Sequence, residues 1–499
     1  MSVRNQNQRI IFGLKVKDFR QRRGLSFHEL ARRTGMSVSY LNEIEKGKKY
    51  PKSDKISALA KALEVSESEL TSPELSKHLA PLGDLLSSNF LNELPLDLFG
   101  IELPKVVEII ANSPAKVGAF ISTLVELSRN YALAEENFYF GSLRSYLELH
   151  NNYFEDLEEA VERFVRRFRL PPAGRVPVEL LAQILQKHYG YTIVENGLAA
   201  YPELQDLRSV FVPGKKRLLL NGHLTENQRA FQLGKEIGFN FLGLEQRAST
   251  SSLLRVHSFE EVLSHFKANY FSAALLLPRA AFLQDLEQFF NLPHWDGEFV
   301  LGLLEKYQAS PEMLLQRMSN LLPRYFALEK LFILRFVHQP EGPESFRMDK
   351  ELHLNRRHHP HGNGLLEHYC RRWLAISLLK DLNHMQSEGK YVGTIVGAQR
   401  SRYFGTDDEY FCITLARPAS PGTRKTVSIA IGILVDADLR RRLRFLDDPA
   451  ILTREVNKTC ERCPIQDCAE RAAPPSVVEA RNRRKAIQKA LNRLLNGQA

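Results

Sequence analysis

The stretch from Ser26 to Pro51, SFHELARRTGMSVSYLNEIEKGKKYP, leaves its chain few ways to fold. Ser26 and Glu29 form a Ser-x-x-Glu capping box, which predicts a helix starting at Phe27 with its free amides satisfied from both ends of the box. Leu30 and Ala31 face inward and Gly35 ends that helix. Ser37 is then the N-cap of a second helix, in which Val38, Leu41 and Ile44 recur at three-residue spacing while Ser39, Tyr40, Asn42 and Glu43 point away. Small Ala31 allows a close crossing, and Gly35 supplies the turn. Two short helices at a fixed angle make a helix-turn-helix, whose second helix enters the major groove of duplex DNA. Base readout is expected from Ser37, Ser39, Tyr40, Asn42 and Glu43. Phosphate contacts are expected from Arg22 and Arg23 before the pair and from Lys46, Lys48, Lys49 and Lys52 after it.

The A-x-x-x-G turn, the helix ending Glu45-x-Gly47 and Pro51 after a basic loop resemble the Cro/C1 (Xre) type of DNA-binding domain. The resemblance spans residues 10 to 71, with Val16 and Phe19 on a helix before the pair and Ile56, Leu59, Ala60 and Leu63 on one after it. It implies an all-α, lambda repressor-like head over residues 1–71.

A chain of 499 residues is too long for one core, so several domains are expected. The formal charge of +10 is unevenly spread. Residues 1–55 hold 14 Lys and Arg against 5 Asp and Glu, residues 471–499 hold 7 against 1, and the middle carries a net −5. A positive field at the two ends suits a DNA-binding head better than a generally basic protein. No apolar run approaches the roughly 18 residues of a membrane span, and MSVRNQNQRI has no apolar signal region. Five cysteines, three of them bunched, do not make a secreted disulfide framework. The expected compartment is the bacterial cytoplasm, with no membrane partner.

Residues 72–170 read as a helical connector. Pro73, Pro81, Pro95, Pro104 and Pro114 cut its first half into short pieces. From Gly141 to Leu170 there is neither Pro nor further Gly, and Phe140, Leu143, Leu147, His150, Phe154, Leu157, Val161, Phe164 and Phe168 recur at alternating steps of three and four. The spacing predicts one heptad seam over 141–170, serving either as a dimerisation stem or as a long helix packed within its own chain.

In the middle domain, residues 171–345, helices are expected at Val176–Leu185 and Glu226–Leu242 and strands at Tyr191–Val194 and Arg217–Leu220. The order RRLLLNGHL, then Arg-x-Phe-x-Leu, then KANYFSAALLLP is similar to the ImmA/IrrE metallopeptidase domain, which implies a zincin-like α+β fold. In that family a His-Glu-x-x-His helix and a distal Glu hold zinc. Laid on this chain, the first His falls on Lys235, the Glu on Glu236, the second His on Phe239 and the distal Glu on His265. A protonated lysine and a phenyl ring offer zinc no lone pair. The resemblance therefore implies a fold that has lost its catalytic site and keeps a cleft, read as a sensor pocket.

The C-terminal part, residues 346–499, is expected to be α+β, with strands near Tyr391–Val396, Tyr410–Leu415 and Thr426–Ile433. The histidines of HLNRRHHPH, with Pro360, Gly362 and Gly364 close by, read as a solvated loop. Cys460, Cys463 and Cys468 can converge on one point. Zinc or an iron–sulfur cluster would need a fourth ligand from Cys412, Cys370 or a His, a thiol switch would need none, and three cysteines can also simply pack around a turn. No cofactor is certain. The last helix, Ser476–Leu495, puts Ile487, Ala490, Leu491, Leu494 and Leu495 on one face and Arg481, Arg483, Arg484, Lys485 and Lys489 opposite.

The cysteine run with Arg471 and the Pro474-Pro475 pair resembles the C-terminal domain of the short-chain fatty acyl transcriptional regulators, which share this order of head, middle and end. The fold class expected is multidomain, mainly α with α+β parts. The resemblance implies a transcription factor controlling carbon or fatty acyl metabolism in response to an acyl-CoA type metabolite; a dimer is expected because such heads read two half-sites, and no enzymatic activity is expected with Lys235 and Phe239 at the ligand positions. The alternatives are an ImmA/IrrE-type peptidase that cleaves a repressor and a stress or phage-immunity antitoxin-like regulator.

Overall fold

The computed structural model describes residues 3–72, 135–171, 176–251, 256–338, 346–354, 367–390, 393–419 and 425–495. The connector's five prolines and the histidines at 358, 359 and 361 lie outside the described residues. The chain forms two compact units, Met1–Tyr146 with Arg255–Phe259, and Leu147–Leu254 with Glu260–Ala499.

The head has five helices: α1 (Val3–Arg22), α2 (Phe27–Thr34), α3 (Val38–Glu45), α4 (Ser53–Leu63) and α5 (Glu67–Thr71). The capping box at Ser26 and Glu29 is formed, Gly35 ends α2 in the left-handed region at φ 67°, and Ser37 caps α3 through the Tyr40 amide. Leu30, Leu41, Ile44, Val16 and Leu59 close one core. Ala31 is only half-buried; the tightest approach is instead at Gly13 of α1, where a Cβ would meet the Ile44 carbonyl oxygen at 2.2 Å. The absence of a side chain there lets α1 lie against the last turn of α3.

The expected stem over 141–170 is two helices, α6 (Glu135–Leu149) and α7 (Glu155–Phe168). Asn151 and Asn152 take left-handed φ values of 49° and 55°, a conformation that Asn tolerates better than other residues with a Cβ. The seam residues of α7 are consumed within the chain. Phe164 meets Phe241 and Phe271 edge-on at 5.2 and 5.5 Å, and Glu158 pairs with Arg317 in the core.

Four helices and a small sheet follow. They are α8 (Val178–Tyr189), β1 (Thr192–Val194), β2 (Ser209–Val212), β3 (Arg217–Leu220), α9 (Glu226–Phe241), α10 (Phe259–Leu276) and α11 (Arg279–Phe290). The sheet order is β1-β3-β2, with β1 parallel and β2 antiparallel to β3. The helices α12 (Gly297–Tyr307) and α13 (Pro311–Phe326) lead into a larger sheet.

That sheet contains β4 (Leu331–His338), β5 (Phe346–His353), β6 (Ile395–Tyr403), β7 (Glu409–Pro418), β8 (Thr426–Leu434) and β9 (Leu452–Val456), in the order β5-β4-β8-β7-β6-β9. Only the β6–β9 pair is parallel. The strand β4 belongs to it although it precedes the expected boundary at 345/346, and the strand expected at Tyr391–Val396 begins at Ile395. Central β8, TVSIAIGIL, is buried along its whole length, whereas edge strand β5, FRMDKELH, opens its charged middle to solvent and buries Phe346, Leu352 and His353 at its ends. The helix α14 (Leu374–Ser387) covers one face through Ile376, Leu379 and Leu382. The short α15 (Ala437–Arg442) and the terminal α16 (Ser476–Leu495) complete the chain. On α16 only Val478 is buried, so Ile487, Leu491, Leu494 and Leu495 stand exposed.

Candidate functional site

On the head, α3 presents its polar side away from the core. Ser39 is exposed and Asn42 and Glu43 are half-buried. The Ser37 hydroxyl accepts from the Tyr40 amide at 3.1 Å, so this residue shapes the helix start as well as flanking its surface. Lys49 reaches back to the Glu43 carboxylate at 2.8 Å and lies over the Tyr40 ring at 5.6 Å. Two expected base readers and one expected phosphate contact therefore form a single cluster. Arg22 pairs with Asp18 at 3.0 Å, and Arg23 donates to the Glu64 carbonyl at 2.9 Å. Lys48 and Lys52 are exposed, with no ion pair among the described residues.

Glu45, which sequence reasoning used only to mark the end of α3, is buried and accepts from Arg20 Nε at 2.6 Å and Nη2 at 2.9 Å. Its partner is 25 residues away, beyond any local pattern. Arg32 and Arg33, also passed over, stand exposed in the last turn of α2, where cations favour the helix dipole.

In the middle domain the four positions aligned with a zinc motif do come together. Lys235 Nζ lies 3.2 Å from His265 Nε2 and donates to the Ser251 carbonyl at 3.0 Å. Phe239 lies edge-on to His265 with ring centroids 6.4 Å apart. Glu236 is paired with Arg247 at 2.8 Å and accepts from the Tyr191 hydroxyl at 3.1 Å. Arg247 stacks between the Phe239 and Phe211 rings, at 3.9 and 4.2 Å. Burial lowers the Lys235 pKa to about 7, against the pull of Glu236. The His265 imidazole is held neutral by burial first and then by the charges of Lys235, Lys350 and Arg247. Lys235 and Phe239 thus stand side by side with His265, and the one carboxylate among the four, Glu236, is tied to a guanidinium.

The C-terminal thiols are free. A short antiparallel bridge between Tyr369 and Thr459 brings Cys370 to Cys460, with the Cys370 amide on the Lys458 carbonyl and the Cys460 amide on the His368 carbonyl. Burial pushes the Cys370 thiol up to about 11, and the nearby Cys460 and Cys463 add to that rise. Cys412 is separately engaged with the Ser401 hydroxyl inside the sheet. Arg471 donates to the carbonyls of Cys460, Cys463 and Ile465. Among the described residues no three His, Cys, Asp or Glu side chains are arranged to hold a metal ion. No described helix is long and apolar enough to cross a membrane.

Residues 11–72 match a family model described as a helix-turn-helix domain, and residues 187–319 match one described as an IrrE N-terminal-like domain. The chain is 22% identical to the propionyl-CoA carboxylase regulator of Cereibacter sphaeroides, over 94% of this chain and 95% of that protein. It is 23% identical to the HTH-type transcriptional regulator RamB of Mycobacterium tuberculosis, over 93% and 94%. The HTH-type transcriptional regulator PrpR of the same organism is 24% identical over 58% of this chain and 60% of its own length.

Proposed function

We propose, from this chain's place among the helix-turn-helix transcriptional regulators that join such a head to an IrrE-like domain, that it binds a specific duplex operator as a homodimer in the bacterial cytoplasm. An acyl-CoA type metabolite sets its DNA affinity, and its targets lie in carbon or fatty acyl metabolism. One relative carries propionyl-CoA carboxylase in its name, which supports that field of action. The observation that carries the reading is α3, whose outward Ser39, Asn42 and Glu43 are followed directly by the exposed Lys48 and Lys52. An effector acts only through unequal affinity for two arrangements of the dimer.

The middle domain is read as non-catalytic. Metal-assisted hydrolysis needs a ligand set and an open carboxylate base, whereas Lys235 fills a ligand position and Glu236 is engaged by Arg247 and Tyr191. The cysteine loop is read as a site answering to oxidants or thiophilic metal, with Cys370 joining Cys460, Cys463 and Cys468. Thiol titration and metal analysis on protein purified without oxygen test it, and inert thiols with no metal would discard it.

The main test is selection of genomic fragments by the purified chain, then footprinting with and without acyl-CoA esters. Two protected half-sites one helical turn apart and release or tightening by an ester are expected. Binding no better than to random duplex would overturn the reading.

A further inference from the structure

The α7 half of the stem expected over 141–170 is consumed within the chain, packed on Phe241, Phe271 and Arg317. The terminal helix α16 is in the opposite condition. From Glu479 to Leu495 every residue is exposed. The helix is attached at its first turn, where the Val477 and Val478 amides donate to the Glu461 carbonyl and Val478 is buried. Beyond that turn its apolar side chains stand in water, Ile487 at 59% exposure and Leu494 at 77%. Helices in proteins draw most of their stability from an apolar face packed on something, and a lone helix of this length is marginal.

The exposed apolar positions fall in one register. Val477, Ala480, Arg484, Ile487, Leu491 and Leu494 follow at alternating steps of three and four, the spacing of a two-stranded coil, and only Arg484 among them is polar. All six are exposed, and unlike the seam over 141–170 this one lies on a single unbroken helix. Its surface complements itself in one direction. Two parallel copies would set Arg484 against Arg484, a like-charge pair inside the seam. In two antiparallel copies Val477 faces Leu494, Ala480 faces Leu491 and Arg484 faces Ile487. The flanking positions then bring Arg481 to Gln488 and Arg483 to Ala490, so that no cation meets a cation. Lys485, Lys489 and Arg493 lie on the far side of the helix.

We propose that α16 pairs antiparallel with α16 of a second copy of this chain, a two-fold contact in which one surface serves both copies. The assignment rests on the homodimer reading above and gives that dimer its interface. Duplex DNA would answer the cations of α16 and leave Ile487, Leu491 and Leu494 in water. A second α16 covers those three and keeps Lys485, Lys489 and Arg493 outward. Arg484 lays its methylene stem on Ile487 and turns its guanidinium to solvent, and a single polar seam residue of this kind selects the arrangement at a cost in stability. The outward cations of the two copies repel, so the contact tightens as salt screens them. Binding to an anionic surface has the opposite sign.

The test is sedimentation equilibrium of the full chain without DNA at low and high salt, repeated for Leu491→Glu, Ile487→Glu and, off the seam, Lys489→Gln. Circular dichroism and melting confirm that the variants fold. Wild type is expected to dimerise, more tightly at high salt, and Lys489→Gln to dimerise at least as well. Leu491→Glu sets a carboxylate against Ala480 and is expected to weaken the dimer about tenfold or more, the worth of a lost apolar contact. Ile487→Glu is expected to cost far less, because its carboxylate faces Arg484 of the other copy. A dimer of equal strength in wild type and Leu491→Glu would overturn the interface and leave the homodimer reading standing. An Ile487→Glu dimer as weak as that of Leu491→Glu would overturn the antiparallel pairing and with it the proposal. A dimer broken by Leu491→Glu, in a protein that prefers no genomic fragment, would uphold the interface and remove the operator reading. Loss of random-sequence DNA affinity in Lys489→Gln, with the mass of Leu491→Glu unchanged, would assign the helix to DNA and overturn the proposal. A wild type that stays monomeric at every concentration would overturn the interface and the homodimer together.

Discussion

Arg20 grips Glu45 through two hydrogen bonds, at 2.6 and 2.9 Å, and so joins the first helix of the head to the end of α3. The same guanidinium donates to the Leu25 carbonyl and lies 4.2 Å from the Phe27 ring centroid. With Glu45 buried, Glu45→Ala leaves an unanswered cation at the base of α3. It should cost the head about 3–5 kcal/mol, read as an earlier melting transition of the head, with specific and random-sequence DNA binding falling together.

Asn42 and Lys48 should separate the two components of DNA affinity. Asn42→Ala is expected to lose about 1–3 kcal/mol of preference for the operator while random-sequence affinity stays constant. Lys48→Ala should weaken every sequence alike and reduce the salt slope by about one. Binding isotherms at several salt concentrations decide, and a uniform loss for Asn42→Ala would remove it from base readout.

Lys235 should make the second unit sensitive to pH. Its folded pKa of about 7 lies below the ordinary 10.5, so between these values the unfolded chain holds a proton that the folded chain lacks, and stability rises with pH. The penalty is complete below about pH 7. Lys235→Met should flatten the rise and stabilise most at neutral pH and below, by up to a few kcal/mol less the hydrogen bonds to Ser251 and His265. Parallel melting profiles from pH 6 to 9.5 for the two proteins would refute this.

Glu158 and Arg317 form a pair with almost no solvent contact, and Tyr270 donates to the same carboxylate at 2.7 Å. Arg317→Met should destabilise by about 3–5 kcal/mol by stranding a buried anion. Adding Glu158→Gln should recover part of that loss in urea unfolding.

The features legible in the sequence were those written locally or in a family register. The caps at Ser26 and Ser37, and the turn at Gly35, each depend on neighbours within four residues. The convergence of Lys235, Phe239 and His265 followed from aligning a known motif. The heptad reading over 141–170 failed because apolar spacing continued across a break that Asn151 and Asn152 mark, and Asn pairs punctuate helices as Gly does. The strands β4 and β5 are not legible in the sequence because β5 is an edge strand rich in charge, and Arg335 and Lys350 become neighbours only through strand pairing. Arg20 and Glu45 were each visible, but nothing in the spacing joins them.

The Arg471 guanidinium holds three carbonyls of the cysteine loop at once. The loop's outline is thus gathered on a single arginine, with the Ala472 amide donating to Cys460 Sγ beside it. Loss of that one side chain would release three turns of backbone together, and with them the spacing that holds Cys460 against Cys463.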